Sequence, residues 1–249
     1  DARLLIAFFG GCLVVFVIGR LVSRYAFGHD GVEQSVFALG GIFSNNLLLG
    51  LPIAKVALGD AAVPAVALVL VFNALLLWTL ATVSVEWARN GALSLRGFGG
   101  ALHSVLVNPL IVGILAGAVV GVLGVPLPHA VAEPLRLIGE SATPLALIVL
   151  GMGLREYGLR QGFREGAAIT AIKLAVQPLV VWALALLLQL PRLETQVVVL
   201  LASMGVGINV YLMAREFRAL ESAVAASMVL STVLAALTTP LVLTLLVHV

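Results

Sequence analysis

Residues 40–60 read GGIFSNNLLLGLPIAKVALGD and set two adjacent amides, Asn45 and Asn46, inside an otherwise apolar run. Gly50 and Pro52 follow where an uninterrupted helix would pass, and Lys55 lies just beyond. Proline donates no backbone hydrogen bond, and its ring collides with the carbonyl four residues back, which here is Leu48. The stretch therefore predicts a helix opened at Gly50 and Pro52. In lipid an opened helix frees N–H and C=O groups, so it persists only inside protein or around a water-filled cavity.

The surroundings of this stretch are those of a membrane protein. Of the 249 residues, 61% are hydrophobic and 10% are charged, and the mean hydropathy is +1.16. A soluble domain carries about 25% charged residues, so this chain lacks the side chains for a wetted surface. Crossing a bilayer takes about 20 apolar residues in a helix. Such segments occur at about 4–25, 34–57, 61–87, 102–124, 134–154, 165–190, 195–215 and 220–247. The expected fold class is an all-α integral membrane protein. The connections are short, with no room for a nucleotide-binding module, so any transport is not fuelled by ATP on this chain. A net charge of +2 is too slight to point to nucleic acid, and Cys12, standing alone, offers neither a disulfide nor a cysteine metal site. No cleavable signal is visible and the first residue is Asp1 rather than Met, which predicts that the native N-terminus lies further upstream.

Basic residues in short loops mark the cytoplasmic side. Alternate loops collect Arg20, Arg24, Arg89, Arg96, Arg155, Arg160, Arg164, Arg215 and Arg218 on one side, against Arg3, Lys55, Arg136 and Arg192 on the other. The first group belongs in the cytoplasm, with both visible ends outside. The bacterial inner membrane is the expected location.

A second interrupted segment is LLASMGVGINVYLMA, residues 200–214, with Gly205, Gly207 and Asn209 together. Both interrupted segments lead at once to an acidic residue and another long span, Asp60 in the first case and Glu221 in the second, an offset of 161 (221 − 60). At that offset 4–25 falls on 165–186, 34–57 on 195–218 and 61–87 on 222–248. Paired spans lie five apart and so cross in opposite directions, as an inverted repeat requires. The partners of 102–124 and 134–154 would precede residue 1. The pattern predicts a ten-span protein seen without its first two helices, with a natural eight-span protein as the alternative.

Four pieces, FSNNLLLGLPIAKVALGD (43–60), VNPLIVGILAGAVVGVLGVPLP (107–128), SATPLALIVLGMGL (141–154) and ASMGVGINVYLMA (202–214), resemble in order segments of the auxin efflux carrier family of permeases. That family includes bacterial malonate and malate permeases and the plant PIN-FORMED carriers. DARLLIAFFGGCLVVFVIGRLV, residues 1–22, looks like its third helix. The resemblance implies the ten-helix, crossed-helix fold shared with bile-acid symporters and sodium/proton antiporters, in which the fourth and ninth helices unwind and cross. Substrate would bind at the crossing, between a mobile transport domain and a scaffold made of the first two helices of each repeat. On that scheme residues 1–90 are transport-domain helices of repeat 1, with the broken helix at 34–57. Residues 101–158 are scaffold helices of repeat 2, and 164–249 are its transport-domain helices, with the broken helix at 195–215. The family often has proline in the ninth-helix break where this chain has Gly205, which also permits a break.

Half-helices meeting head to head present unpaired N–H donors and partial positive charge at their N-terminal ends, which suits a carboxylate. The candidate substrate-binding residues are Asn45, Asn46, Gly50, Pro52, Gly205, Gly207 and Asn209. A plainer reading of the asparagines also stands, that they satisfy the freed backbone. Adjacent asparagines point differently on a helix, so one of Asn45 and Asn46 is expected to face substrate. Lys173, about 13 Å into its span from Arg164, is the possible charge partner. It either balances the negative C-terminal ends of the half-helices, counters an anionic substrate, or snorkels to the interface. Lys55 reads as an interfacial anchor, Asp60 and Glu221 as caps, and Arg136 with Glu140 as a local ion pair, a coupling-ion role for Glu140 being the lesser reading. Asn108-Pro109 and Thr143-Pro144 read as helix starts or kinks, and Asn73 and Gln177 as interhelical hydrogen bonds. The small residues of GILAGAVVG, 113–121, offer close helix packing and a possible homodimer face.

A sodium/proton antiporter of this fold needs carboxylates at the crossing, and neither break has one. An intramembrane enzyme needs a His pair, a zinc spacing or a Ser/His constellation, and His29, His103, His129 and His248 are all peripheral. The chain is therefore expected to be no enzyme and to need no metal or cofactor, with sodium or proton coupling open. It is read as a secondary or facilitative carrier of small organic anions, carboxylates such as malate, malonate or auxin-like acids, working by alternating access. A sodium-coupled carrier like the bile-acid symporters is the alternative, and a cation/proton antiporter a lesser one.

Overall fold

The computed structural model describes residues 2–90, 109–124, 126–157 and 162–247. Arg96, His103, Asn108, Arg160 and His248 lie outside the described residues. In chain order the elements are α1 (Ala2–Phe27), α2 (Gly31–Gly40), a π-helical turn (Asn46–Gly50) running into α3 (Leu51–Leu58), and α4 (Val63–Asn90). Then come α5 (Pro109–Leu123), α6 (His129–Tyr157), α7 (Phe163–Ala171), a second π-helical turn (Ile172–Val176) and α8 (Gln177–Leu187). They end with α9 (Arg192–Ala202), α10 (Ile208–Phe217) and α11 (Glu221–Val247). Among the described residues four continuous stretches, Ala2–Phe27, Asp60–Arg89, Phe163–Leu187 and Glu221–Leu246, are long and apolar enough to span a membrane. The chain is an all-α membrane protein.

The start of α2 shows how locally these elements are specified. Asp30 Oδ1 accepts from the N–H groups of Val32 and Glu33 at 2.8 Å each, and Glu33 Oε2 accepts the Asp30 N–H at 3.0 Å, a complete capping box. Asp60 and Glu221 open their helical turns as first residues, where the sequence expectation had them as caps. Each lies in the first turn of its own helix, where negative charge suits the dipole. Asp60 pairs with Lys55 at 3.2 Å and Glu221 with Arg215 at 3.4 Å. The ion pair expected of Arg136 and Glu140 forms at 2.6 Å, with Glu133 as a second carboxylate on the same guanidinium.

The offset found in the sequence recurs between the starts of α2 and α9, 192 − 31 being 161. An interruption follows each of these two helices, at 41–45 after α2 and at 203–207 after α9, one residue off that offset.

The place of the first interruption corrects the sequence expectation. The backbone leaves helical geometry at residues 41–45, ahead of Gly50 and Pro52, which both lie within helix. The π-helical turn explains why Pro52 does not break the chain. The Leu51 N–H reaches back five residues to the Asn46 carbonyl, and this widened turn relaxes the collision that a proline imposes four residues back. The same device recurs at Pro178, where the Gln177 N–H bonds the Ile172 carbonyl at the end of the second π turn.

The core lies where α1, α2, α9 and α10 meet, around the fully buried Phe8, Phe37, Phe43 and Tyr211. Close approach of α1 to α2 depends on Gly19, because a Cβ there would sit 2.8 Å from the Ala38 Cα. Gly19→Val is expected to push the two helices apart and cost about 1–3 kcal/mol, read as a lower unfolding temperature of the purified protein in detergent.

Candidate functional site

The two interruptions run antiparallel and pair. Asn45 N–H donates to the Gly205 carbonyl and Gly207 N–H to the Phe43 carbonyl, both at 2.9 Å, with Ser44 opposite Val206. Each break thus supplies the backbone partners the other lacks, as buried peptide groups require. Four more freed groups find side chains from neighbouring helices. Gln177 Nε2 donates to the Ile42 carbonyl at 2.8 Å, and Lys173 Nζ donates to the Ala202 carbonyl at 2.6 Å. Val206 N–H donates to Ser231 Oγ at 2.8 Å, and Thr239 Oγ1 donates to the Ser203 carbonyl at 3.3 Å.

Lys173 and Gln177 lie four apart, across the second π turn, and both are fully buried. Each serves the C-terminal end of one first half-helix, Lys173 that of α9 and Gln177 that of α2. The cation therefore lies where the partial charge of a helix end is negative, and it does not extend to an interface.

At the crossing, lined by neither Lys173 nor Gln177, is a cavity of about 330 Å³, within the range of small-ligand sites. Its walls hold the two N-terminal ends, residues 43–48 and Gly207 to Asn209, with Leu70 and Asn73 from α4 and Gly139 from α6. No acidic or basic side chain lines it among the described residues. Of the sequence candidates, Asn45, Asn46, Gly207 and Asn209 come together here. Gly50, Pro52, Gly205 and Lys173 do not line the cavity. Gly50 packs on Leu201, Gly205 lies against the backbone of Ser231 and Thr232, and Lys173 is engaged beneath the crossing.

The asparagines are not spent on the freed backbone. Asn46 is 1% exposed, yet neither its Oδ1 nor its Nδ2 has a protein hydrogen-bond partner. Asn45 and Asn209 are half-buried. Both Asn45 and Asn46 line the cavity, where the sequence expected one of them. Sequence reasoning missed two contributors. Asn73, buried with Oδ1 unpartnered, faces this space, and Ser44 Oγ is buried and unpartnered at the crossing itself. A lone amide inside the apolar α4 was the available signal for Asn73. Gln177, by contrast, makes the interhelical hydrogen bond that its sequence position suggested.

Comparison with known proteins adds an independent line. Residues 99–243, more than half of the chain, match the family described as membrane transport protein. The chain is also 24% identical over 227 residues to a protein of Rhizobium meliloti (strain 1021) named "Putative malonate transporter". That alignment covers 90% of this chain and 70% of the relative.

Proposed function

Because the chain belongs to the membrane transport protein family, the permeases of the auxin efflux carrier type, we propose that it carries small organic anions, with the carboxylate held at the crossing of the two broken helices. The observation that carries this reading is the cavity walled by two helix N-terminal ends and by the unpartnered amide of Asn46. N-terminal ends and amide N–H groups donate to an anion, and an uncharged lining leaves its negative charge uncompensated except by those donors. The malonate named for the Rhizobium relative is a small dicarboxylate and makes malonate the first substrate to try. The starts of α2 and α9, 161 residues apart, and the interruption that follows each support an inverted-repeat, ten-helix, crossed-helix fold. Gly139 of α6 in the cavity wall supports a site between scaffold and transport helices, opened to each side in turn.

A second reading shares the site. The buried, unpartnered oxygens of Ser44 and Asn46 suit a sodium ion bound with the anion, as in sodium-coupled carriers. Cation/proton exchange lacks the carboxylate it needs among the described lining residues.

Uptake of labelled malonate, malate and a monocarboxylate into vesicles holding the protein tests this, with and without sodium and a pH gradient. The expected result is saturable uptake of at least one carboxylate, falling tenfold or more in Asn209→Ala. Uptake of cations alone would sink the class, and undiminished uptake in Asn209→Ala would remove that residue from the site.

A further inference from the structure

A second site shares no lining residue with the cavity at the crossing. An open groove of about 640 Å³ runs between α1 and α4, with Phe16, Val17, Leu80 and Val83 among its apolar walls. Arg20, Arg24, Gln34 and Trp87 stand along it. The Arg20 guanidinium, half-buried, is fixed by neutral groups only. Its Nη1 donates to Ser35 Oγ at 3.2 Å and to Ser84 Oγ, and its Nη2 donates to Gln34 Oε1 at 3.4 Å. The Ser35 and Ser84 hydroxyls bond each other at 2.8 Å, which locks the cradle. Nε has no partner among the described residues, so the edge of the guanidinium that offers two parallel N–H bonds is held in place and not filled.

No carboxylate pairs with Arg20 or Arg24 among the described residues. Arg24 lies over the Tyr25 ring at 5.5 Å. The nearby Asp30 and Glu33 are engaged with each other's backbone in the α2 capping box. Two arginines four apart on one helix face repel each other, and a cation within a spanning helix is costly unless an anion answers it. The groove that opens beside them is apolar over most of its length, which a water-soluble anion would not use.

We propose that this groove binds an anionic phospholipid. Its phosphate sits on the Arg20 edge with Arg24 beside it, one acyl chain lies along Phe16, Val17, Leu80 and Val83, and Trp87 flanks the glycerol region. Basic recesses between spanning helices recognise acidic headgroups in this way, and tryptophan favours the interfacial level. The site is independent of substrate binding at the crossing.

The test reads the lipid directly. With Trp78→Phe and Trp182→Phe in place, Trp87 is the only tryptophan, and its fluorescence is followed in phosphatidylcholine vesicles containing a small fraction of brominated lipid. Brominated phosphatidylglycerol is expected to quench at least fivefold more per mole than brominated phosphatidylcholine. That preference should vanish in Arg20→Gln and fall by part in Arg20→Lys, which keeps the charge but loses the paired donors. Equal quenching by the two lipids with Arg20 and Arg24 intact overturns the proposal, whatever the variants do. So does a Trp87 shielded from both, which would mean that protein fills the groove, or a preference unchanged in Arg20→Gln.

Discussion

Asn46→Ala is expected to lower carboxylate uptake tenfold to a hundredfold while leaving the substrate-free protein as stable as before or more so. The two halves of this result come from one observation, that the Asn46 amide is buried and neither of its polar atoms is hydrogen-bonded within the protein. A buried polar group without a partner costs about 1–3 kcal/mol, so its removal relieves the folded state. Truncation to alanine also loses packing, and the two effects are similar in size. A hydrogen bond to a charged group contributes about 1.5–3 kcal/mol, which converts to roughly ten- to hundredfold in binding. Paired measurements of malonate uptake and of unfolding temperature separate the roles. A variant that transports normally but melts well below the parent would show that Asn46 is structural.

Lys173→Glu is expected to be the most damaging single substitution in the chain, giving no folded protein on extraction into detergent. Lys173 Nζ donates to the Ala202 carbonyl at 2.6 Å from a fully buried position, and Gln177 bonds the Ile42 carbonyl from one turn along. A carboxylate in its place would face a helix C-terminal end with its carbonyls outward, so attraction becomes repulsion. An uncompensated buried charge costs about 3–5 kcal/mol, a large share of the 5–15 kcal/mol that holds a typical domain folded. Lys173→Gln is the control. It keeps an N–H donor for Ala202 at lower charge and is expected to cost about 1 kcal/mol and to stay folded. Size-exclusion profiles and thermal unfolding of both variants check this. A monodisperse Lys173→Glu protein with parental stability would show that the bond to Ala202 does not hold the crossing together.

Much of the fold was legible because membrane insertion imposes a local code. Apolar length and flanking charge placed α1, α4, the continuous α7–α8 stretch and α11 within a few residues, and the 161-residue offset drawn from Asp60 and Glu221 recurs between the starts of α2 and α9. The site was legible in part. Asn45, Asn46, Gly207 and Asn209 were marked by being polar or flexible in apolar surroundings, and they line one cavity. Gly50 and Pro52 were marked by the same logic and lie within helix. Local rules for proline ignore the π turn that accommodates it.

What the sequence by itself determined is the class of the protein and the position of four long apolar stretches, because those depend on composition and on spacing along one helix. The tertiary structure alone decided where the first helix opens. An extended backbone inside a membrane protein is stable only beside a second one, and the partners at Phe43, Asn45, Gly205 and Gly207 lie more than 150 residues apart in the chain. It also decided that Lys173 and Gln177 close the C-terminal ends while the amides are left facing the cavity. No reading of residue types assigns those roles, since a buried amide satisfies backbone or waits for a ligand according to what folds against it.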